Sequence, residues 1–551
     1  MSLRRRGVRW LGALLVCAAA ATLLLPACGG EGSSSQGPTP KPGGTFVFPL
    51  LGDPVSIEPL NAQETEGTQV AHQVFQGLVK YVTNDSGEMV AVPDIAETWE
   101  TGDGRVWTFH LKPGVRFQRP VGRAVVAQDF VDSWNRATDP ANESYVSYVL
   151  APIEGCDDRG YQVDASAGLT GVTAVDAHTL RVALRYPFAE FPETLGHTVA
   201  AVTPVDYIER VGARKFARRP IGTGPYKVVS WKRGKSITLA RNADYWQPAA
   251  AGHVDKIKMP IVADVETMWD AFEDGEIDCS RVPPGQVATV TASPRVQSGR
   301  WSATSWPTLA LGYVGIDMKG GRLSRDLDLR LALAMATDKQ RVVSEAGEGV
   351  PTPASGYVPE GVPGRRSNDD LLPFDPSRAK SVVDGLASVP ELDYWYANSD
   401  AGEEVARILR AGWREAGVEV RARGFEWPVL YSGLSQTGSS ESPDLFATGF
   451  IADYPSMGAF LYPLFHSDQS GTGSLTGYSS PQVDEVLLQA RGTLDAQQRQ
   501  NLYAQAERLI LADMPAVPLY YYRAFRVSSA RIGGFTLNPM GLTDMWAVWV
   551  K

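Results

Sequence analysis

Apolar and polar residues alternate along several short stretches of the chain, which is the pattern of half-buried β-strands. The clearest stretches are residues 105–111 (RVWTFHL), 179–185 (TLRVALR) and 418–423 (VEVRAR). Residues 516–522 (AVPLYYY) predict a further strand that carries a proline near its start and is dense in aromatic side chains. No period of about 20–50 residues repeats, so the pattern does not indicate a solenoid or a propeller.

Apolar residues recur at helical spacing in other parts of the chain. Within residues 401–417 they form one stripe that stops at a glycine, and its members are Val405, Ile408, Leu409 and Trp413. A second helix is predicted to start at Ser480-Pro481, and a third to run from about residue 495 to residue 513. Strands and helices in irregular alternation predict a mixed α/β fold.

The N-terminal residues have the pattern of an export signal. Four arginines precede an uncharged apolar run over residues 11–25, and Leu25-Pro26-Ala27-Cys28 follows directly. The run is shorter than the roughly 20 residues that span a bilayer. Its end resembles a bacterial lipobox, which implies cleavage before Cys28, lipidation of that cysteine and retention on the outer face of the cytoplasmic membrane. An ordinary secreted protein and an uncleaved anchor are the alternatives, and the Arg-Arg pairs are compatible with twin-arginine export.

A segment rich in glycine, serine and proline, residues 29–44, follows the signal and predicts a flexible tether. Removal of the signal and lipidation of Cys28 leave Cys156 and Cys279 as the remaining thiols. They either pair with each other or stay separate as buried thiols. The sequence does not decide between these arrangements, because a disulfide needs Cα atoms within about 7 Å and the sequence does not give that distance.

Composition places the chain among globular proteins. Of its 551 residues, 44% are apolar and 21% are charged, which excludes a largely disordered chain and a polytopic membrane protein. The net charge of −10 becomes −14 once the four signal arginines are removed. A phosphate backbone would be repelled by this charge, so we expect no nucleic-acid partner.

No catalytic or metal-binding motif stands out. The six histidines are isolated in sequence, and no H-E-x-x-H, H-x-H or C-x-x-C occurs. An S-x-x-K at residues 377–380 lacks its partner motifs, and Asp375-Pro376 before it predicts a helix start. The glycine-rich residues 222–226 contain Pro225, which has no N–H to offer a phosphate, so they predict a tight turn. We therefore expect neither an enzyme nor a metal or cofactor site. The 14 Trp, 20 Tyr and 18 Phe are compatible either with a ligand cleft lined by aromatic side chains or with a large core that uses them.

Ten short motifs occur in a fixed order along the chain. They are FQGLV (75–79), PDIAETW (93–99), FHLKPGVRF (109–117), AQDF with SW (127–134), PIGTGPY (220–226), NADYW (242–246), GEID (275–278), LRLALAMATD (329–338), ADY (452–454) and VPLYYY (517–522). With these motifs the chain resembles the extracytoplasmic solute-binding proteins, family 5, of peptide-importing ABC transporters, most closely the oligopeptide-binding type. The resemblance covers residues 45–551.

The resemblance implies an α/β clamshell of the periplasmic-binding-protein type, class II, with two large lobes and an extra small lobe. By analogy, lobe I is 45–78, 204–309 and 522–551, the extra lobe is 79–203, and lobe II is 310–521, after a signal peptide (1–27) and a lipidated tether (28–44). The hinge would lie at the two crossings near residues 309 and 521. A ligand that contacts both large lobes only when they are closed shifts the open–closed equilibrium.

The function implied by the resemblance is peptide capture between the lobes and delivery to an ABC permease with its ATPase subunits. The protein would be a lipid-anchored monomer. An alternative keeps the fold but carries a non-peptide solute, such as an oligosaccharide, an opine, a metal chelate or another amine-bearing ligand.

Eight positions match ligand-binding positions of the family. Asp453 would hold the α-ammonium of a peptide, and Gln63 stands where relatives have an acidic contributor. The remaining matches are Trp427 and Phe450 at side-chain pockets, Tyr520, Tyr521 and Tyr522 on a tyrosine strand near the hinge, and Lys319 near a carboxylate-binding lysine.

The chain departs from the familiar enteric relative at the carboxylate end. Two positions that there carry a basic residue and a histidine align with Ala447 and Gly402, and the paired cysteines of that relative align near Ala310 and Ile451. The position that binds the amine of the peptide is retained, and the positions that bind its carboxylate are altered. This difference suggests peptides of different length or a ligand without a free carboxylate.

Overall fold

The structure is a computed structural model that describes residues 40–320, 322–371, 373–435, 442–470 and 473–551. The predicted signal peptide, Cys28 and most of the predicted tether lie outside the described residues. Those described form one compact unit from Pro40 to Lys551.

The strands of the described residues are β1 (Thr45–Val47), β2 (Val79–Thr83), β3 (Met89–Pro93), β4 (Ala96–Thr101), β5 (Val106–Leu111), β6 (Val172–Asp176), β7 (Thr179–Ala183), β8 (Tyr226–Lys232), β9 (Ser236–Arg241), β10 (Lys256–Pro260), β11 (Cys279–Ser280), β12 (Trp301–Ile316), β13 (Thr352–Pro353), β14 (Leu392–Ala397), β15 (Val420–Phe425), β16 (Leu445–Ile451), β17 (Ala516–Ser529), β18 (Ile532–Gly533) and β19 (Trp549–Val550).

The α-helices of the same residues are α1 (Thr65–Val74), α2 (Ala127–Thr138), α3 (Phe191–Thr194), α4 (Val205–Val211), α5 (Ala213–Arg218), α6 (Val265–Glu273), α7 (Val287–Thr291), α8 (Pro294–Gln297), α9 (Leu327–Met335), α10 (Lys339–Arg341), α11 (Pro376–Asp384), α12 (Asp400–Glu415), α13 (Trp427–Leu434), α14 (Gly458–Phe465), α15 (Pro481–Gly492) and α16 (Ala496–Asp513).

Three larger sheets organise these elements. One has the strand order β1-β10-β9-β8, a second β4-β5-β7-β6, and the largest β11-β17-β12-β16-β14-β15 with β13 paired to β17. The mixed α/β prediction is confirmed. Among the predicted strands, residues 105–111 contain β5, residues 179–185 contain β7, and residues 418–423 overlap β15.

The predicted helices are also confirmed. The stripe of α12 is buried at Val405, Ile408, Leu409 and Trp413, as its spacing indicated. The Asp375 side chain caps α11 by accepting a hydrogen bond of 2.9 Å from the Arg378 backbone N–H, so the S-x-x-K segment is a helix start.

The two longest strands, β12 and β17, pair along most of their length in the largest sheet. The predicted hinge crossings near residues 309 and 521 fall within these strands. The β12–β17 register shifts between Pro307 and Leu311, where proline cannot donate a ladder hydrogen bond. The bulge therefore lies where the prediction places one hinge crossing.

The hydrophobic core of the described residues is divided into several clusters. One cluster joins residues of predicted lobe I, such as Phe46 and Ile257, with residues of the predicted extra lobe, such as Phe130 and Trp134. Two further clusters lie mainly within residues 309–521. The residues predicted as the extra lobe thus share one hydrophobic cluster with residues predicted as lobe I.

A buried carboxylate connects the predicted extra lobe to lobe II. Glu190 accepts hydrogen bonds from the Ser456 hydroxyl and, at 2.8 Å, from the Tyr503 hydroxyl. Arg499 Nε lies 3.5 Å from Glu190 Oε1, and both side chains are almost fully buried. Burial raises the pKa of Glu190, and the Arg499 cation opposes that rise.

The two cysteines of the described residues, Cys156 and Cys279, are both free and both buried. Of the two arrangements that the sequence left open, the structure has the separate thiols. Burial raises the pKa of the Cys156 thiol to about 12, so it is protonated at neutral pH.

Glu507, in the segment predicted as lobe II, is a buried carboxylate through which we expect stability to depend on pH. Its carboxylate accepts hydrogen bonds from the backbone N–H groups of Tyr357 (2.6 Å) and Val358 (3.1 Å), but burial raises its pKa from 4.5 to about 7. The folded state therefore keeps this proton at a pH where the unfolded chain has lost it. The contribution of protonated Glu507 to the free energy of unfolding is complete below about pH 4.5 and is lost as the pH rises through 7.

We expect the free energy of unfolding of the wild type to fall more steeply between pH 5 and pH 8 than that of Glu507→Gln, which cannot titrate. The difference should be roughly 2–3 kcal/mol, since one pKa unit corresponds to about 1.4 kcal/mol. Urea denaturation at both pH values measures it. Equal pH slopes for the two proteins would contradict the assignment.

Candidate functional site

Two adjoining cavities lie between the segments predicted as lobe I and lobe II, and together we call them the cleft. The larger has a volume of about 720 Å³ and the smaller about 260 Å³. Ile451 and Met540 line both cavities. Ile451 keeps 71% of its surface exposed although it is a large apolar residue.

One wall of the larger cavity is the open edge of a strand. Residues 447–451 of β16 line the cavity while their other edge pairs with β12. The neighbouring strand β14 pairs with β16 only at Leu445 and Phe446, and then diverges. Within the described part of the chain, no strand pairs with residues 447–451 on that side, so their backbone groups are available to an extended ligand.

Aromatic side chains form another part of this wall. Four of the predicted residues line the larger cavity: Trp427, Phe450, Tyr520 and Tyr522. The rings of Tyr520 and Tyr522 lie edge to face with centroids 5.0 Å apart, and Trp427 at the start of α13 is 50% exposed. Exposed aromatic rings supply adaptable apolar contact area to a ligand.

Tyr521 lies between these two tyrosines in sequence but faces the other side of β17, because successive side chains of a strand alternate. It is buried, and its hydroxyl donates to the Gly356 carbonyl at 3.1 Å and accepts from the Ser355 N–H at 3.2 Å. It lines neither cavity. The structure therefore places Tyr521 in the core and not in the predicted tyrosine wall.

Asp453 lies in the smaller cavity, two residues after the end of β16, and is half-buried. Its Oδ1 accepts a hydrogen bond of 2.9 Å from the Tyr148 hydroxyl. Among the described residues no other group donates to it and no cation pairs with it. The Asp453 carboxylate affects two neighbouring groups. Burial and the Asp453 charge together raise the pKa of Tyr148. Burial lowers the pKa of His197, and the Asp453 charge opposes that decrease.

The two remaining predicted positions differ in their placement. Gln63 lines the smaller cavity with Asp453, as the prediction requires. Lys319 lines neither cavity; it is exposed, and its aliphatic stem packs against Gly477. The loop between β12 and α9 thus turns Lys319 away from the cleft.

Several residues of the cleft were absent from the sequence prediction. Tyr148 is the hydrogen-bond donor to Asp453, and the smaller cavity also contains His72, whose Nε2 lies 2.7 Å from Asp544 Oδ1. Arg281 and Arg526 line the larger cavity. Each stands alone in its sequence context, so no local motif could have identified it.

Two further searches concern metal ligands and membrane-spanning helices in the described part of the chain. No group of three or more histidine, cysteine, aspartate or glutamate residues there is arranged to hold a metal ion. No helix of those residues combines the length and the apolar character needed to cross a bilayer.

Comparison with known proteins gives a consistent result over nearly the whole chain. The family model for bacterial extracellular solute-binding proteins, family 5 (middle region), matches residues 90–472. The oligopeptide-binding protein OppA of Bacillus subtilis is 28% identical over 542 residues, which cover 94% of this chain and 96% of that protein. Heme-binding protein A of Haemophilus influenzae is 25% identical, with coverage of 97% and 98%.

A solved structure, HbpA2 from Haemophilus parasuis, superposes with a TM-score of 0.80 at 23% sequence identity, covering 92% of this chain and all of that chain. This likeness shows the fold, the class II clamshell that the sequence predicted. The match of the family model to more than half of the residues identifies the family. The chain belongs to the bacterial extracellular solute-binding proteins, family 5.

Proposed function

We propose that this protein is a lipid-anchored receptor that captures peptides in its cleft and delivers them to an ABC permease for uptake. The observation that carries the proposal is Asp453, a carboxylate in the cleft that has no cationic partner among the described residues. A peptide α-ammonium supplies such a partner. A charge-assisted pair of this kind is strong when it is removed from water.

The open edge of β16 supports the same proposal. An extended peptide can add to residues 447–451 as a further strand, because main-chain hydrogen bonding does not depend on the side chains of the peptide. The pairing would start beside Asp453 and continue into the larger cavity. Trp427, Phe450, Tyr520 and Tyr522 would contact the peptide side chains there.

Closure of the two large lobes about the crossings near residues 309 and 521 would enclose the ligand. The lobe boundaries given above are part of this proposal. Since the ligand contacts both lobes only in the closed form, its binding energy favours closure, and the permease with its ATPase would recognise the closed monomer.

A second candidate keeps the fold but replaces the cargo with a non-peptide solute such as a metal chelate, an opine or an oligosaccharide. It is favoured by the absence of basic side chains at Ala447 and Gly402, and by a relative named as heme-binding. An oligosaccharide would leave Asp453 without a cation, which argues for an amine-bearing cargo.

Titration calorimetry separates the two candidates. The mature protein, purified and then unfolded and refolded to remove cargo, is titrated with pools of peptides of three to eight residues, with haem and with a maltodextrin mixture. The proposal predicts heat and saturation with peptides alone. Binding of haem or maltodextrin without peptide binding would contradict it.

Lipid anchoring depends on Cys28, so we expect Cys28→Ser to abolish lipidation of the protein in expressing cells. Metabolic labelling with an alkyne fatty acid should label the wild type and not the variant. Cys17→Ser is the matched control, because it changes a cysteine inside the predicted signal and should leave labelling intact. A labelled Cys28→Ser variant would contradict the anchor.

A further inference from the structure

Two arginines face each other on neighbouring strands in the wall of the cleft. The antiparallel pairing of β11 with β17 places Cys279 opposite Ser528 and Ser280 opposite Val527. Arg281 follows β11 directly and Arg526 precedes Val527 on β17, so the two arginines lie close together at the end of this pairing. Both line the larger cavity, and both are partly buried.

Neither guanidinium has an acidic partner within the described residues. The Arg281 guanidinium makes no hydrogen bond or ion pair there, and the Arg526 guanidinium donates only to the carbonyl of its neighbour Phe525, at 2.8 Å. Another arginine of the same wall is fully engaged, because Arg523 Nη1 lies 2.9 Å from Glu360 Oε2. The missing partners are therefore specific to the Arg281–Arg526 pair.

This arrangement is unfavourable in the absence of an anion. Like charges directly opposite each other on a sheet repel, and partial burial removes water that would otherwise screen them. Burial and the neighbouring Arg281 together lower the pKa of Arg526 to about 10. Burial also lowers the pKa of Arg281; Glu66 opposes this effect but forms no ion pair with Arg281. The wall keeps an uncompensated positive charge towards the cavity.

We propose that Arg281 and Arg526 bind a carboxylate of the peptide cargo. This proposal rests on the proposed function and deepens it, since it names a chemical group that the cargo carries. The planar guanidinium presents two parallel N–H donors that match the two oxygens of a carboxylate, and two such groups can hold one carboxylate from both sides. The pair lies on the predicted lobe I wall, away from Ala447 and Gly402.

The strand register separates this pair from Asp453 along β12. Ile451, close to Asp453, pairs with Ala310 of β12, while Arg526 pairs with Thr304 of the same strand. Six residues along a strand span about 20 Å at roughly 3.3 Å each. Residues 447–451 pair with β12 in the other direction, from Ala310 to Val314, so the arginines lie beyond Asp453 as seen from the open edge of β16. A carboxylate at the arginines would therefore belong to a part of the cargo that is not paired with that edge.

The test measures dissociation constants for three kinds of peptide pool, three to eight residues long. One pool has free carboxyl termini, one has amidated termini, and one has amidated termini with a single internal glutamate. They are titrated into the wild type, into the double variant Arg281→Gln/Arg526→Gln, and into Arg300→Gln, an exposed arginine outside both cavities. The double variant Arg281→Lys/Arg526→Lys keeps the charge and controls for folding.

We expect the wild type and Arg300→Gln to bind the free-carboxylate pool at least about tenfold more tightly than the amidated pool. The glutamine double variant should lose this preference and bind the amidated pool as the wild type does, while the lysine variant keeps part of the preference. A preference for the glutamate pool over the amidated pool that is lost in the same variant would assign the site to an acidic side chain of the cargo.

Two results would overturn the carboxylate site: equal binding of all pools by the wild type, or an undiminished preference in the glutamine variant. A glutamine double variant that no longer binds the amidated pool would also overturn the carboxylate site, since the arginines would then have a structural role. Failure of the wild type to bind any pool is a different result, because it contradicts the proposed function itself.

Discussion

Replacement of Asp453 by asparagine should weaken the binding of peptides with a free amino terminus by about 2–5 kcal/mol, a loss of roughly 30-fold to more than 1,000-fold in affinity. Asparagine keeps the size of the side chain and an oxygen that can accept the Tyr148 hydrogen bond. It removes only the charge, so the peptide ammonium would be buried without a counter-ion. Titration calorimetry with a defined free-amine peptide measures the loss.

Amino-terminal acetylation of the peptide provides the complementary control for Asp453. The acetylated peptide has no cation, so the wild type should bind it weakly and Asp453→Asn should bind it about as well as the wild type does. Asp384→Asn, an exposed aspartate that pairs with Lys380 on α11, should leave affinity unchanged. Unaltered binding of the free-amine peptide by Asp453→Asn would refute the ammonium role.

Replacement of Glu190 by alanine should destabilise the state that contains its buried contact by about 3 kcal/mol. The change removes one partner of a buried ion pair, and it leaves the donors of Tyr503, Ser456 and Arg499 without their common acceptor. This carboxylate joins the predicted extra lobe to lobe II. We expect this contact to form on closure, so that its loss destabilises only the closed state. Peptide affinity should then drop about 100-fold, while the ligand-free protein melts at nearly the same temperature.

Glu154→Ala is the matched control for Glu190. It removes a glutamate of the same predicted lobe whose ion pair with Arg105 is exposed to solvent, and such pairs contribute little. Differential scanning calorimetry and peptide titration of both variants test the expectation. A Glu190→Ala protein with wild-type affinity and a lowered melting temperature would place the contact in both states and contradict a role in closure.

Much of the fold could be predicted because local patterns agreed with the tertiary structure. The stripe of α12 and the cap at Asp375 depend on residues near each other in sequence, so helical spacing and capping chemistry identified them. The length of β17 could not be predicted. Its second half, after Tyr522, is a strand because it pairs with β12, which is a long-range contact.

The site was predictable only as far as the motif alignment extended. Asp453 and Gln63 lie together in the smaller cavity, and Ala310 and Ile451, the positions of the relative's paired cysteines, are cross-strand partners. Alignment alone could not decide which face of β17 carries Tyr521, since three consecutive tyrosines must alternate between cleft and core.

The arginine pair and Tyr148 could not be predicted for a different reason. Arg281 and Arg526 come together only through the pairing of β11 with β17, and Tyr148 reaches Asp453 from the predicted extra lobe. Such contacts exist in space and have no signature in sequence. The same holds for Lys319, whose loop directs it away from the cleft.

Native mass spectrometry of the mature protein, purified without denaturation, tests the central claim most directly. Receptors that enclose their cargo release it slowly, so ligand should remain bound through purification. We expect a set of bound masses that differ by the masses of amino-acid residues and that disappear after denaturation and refolding. A bound species with the discrete mass of a sugar, an opine or a metal chelate would contradict the peptide receptor proposed for this chain.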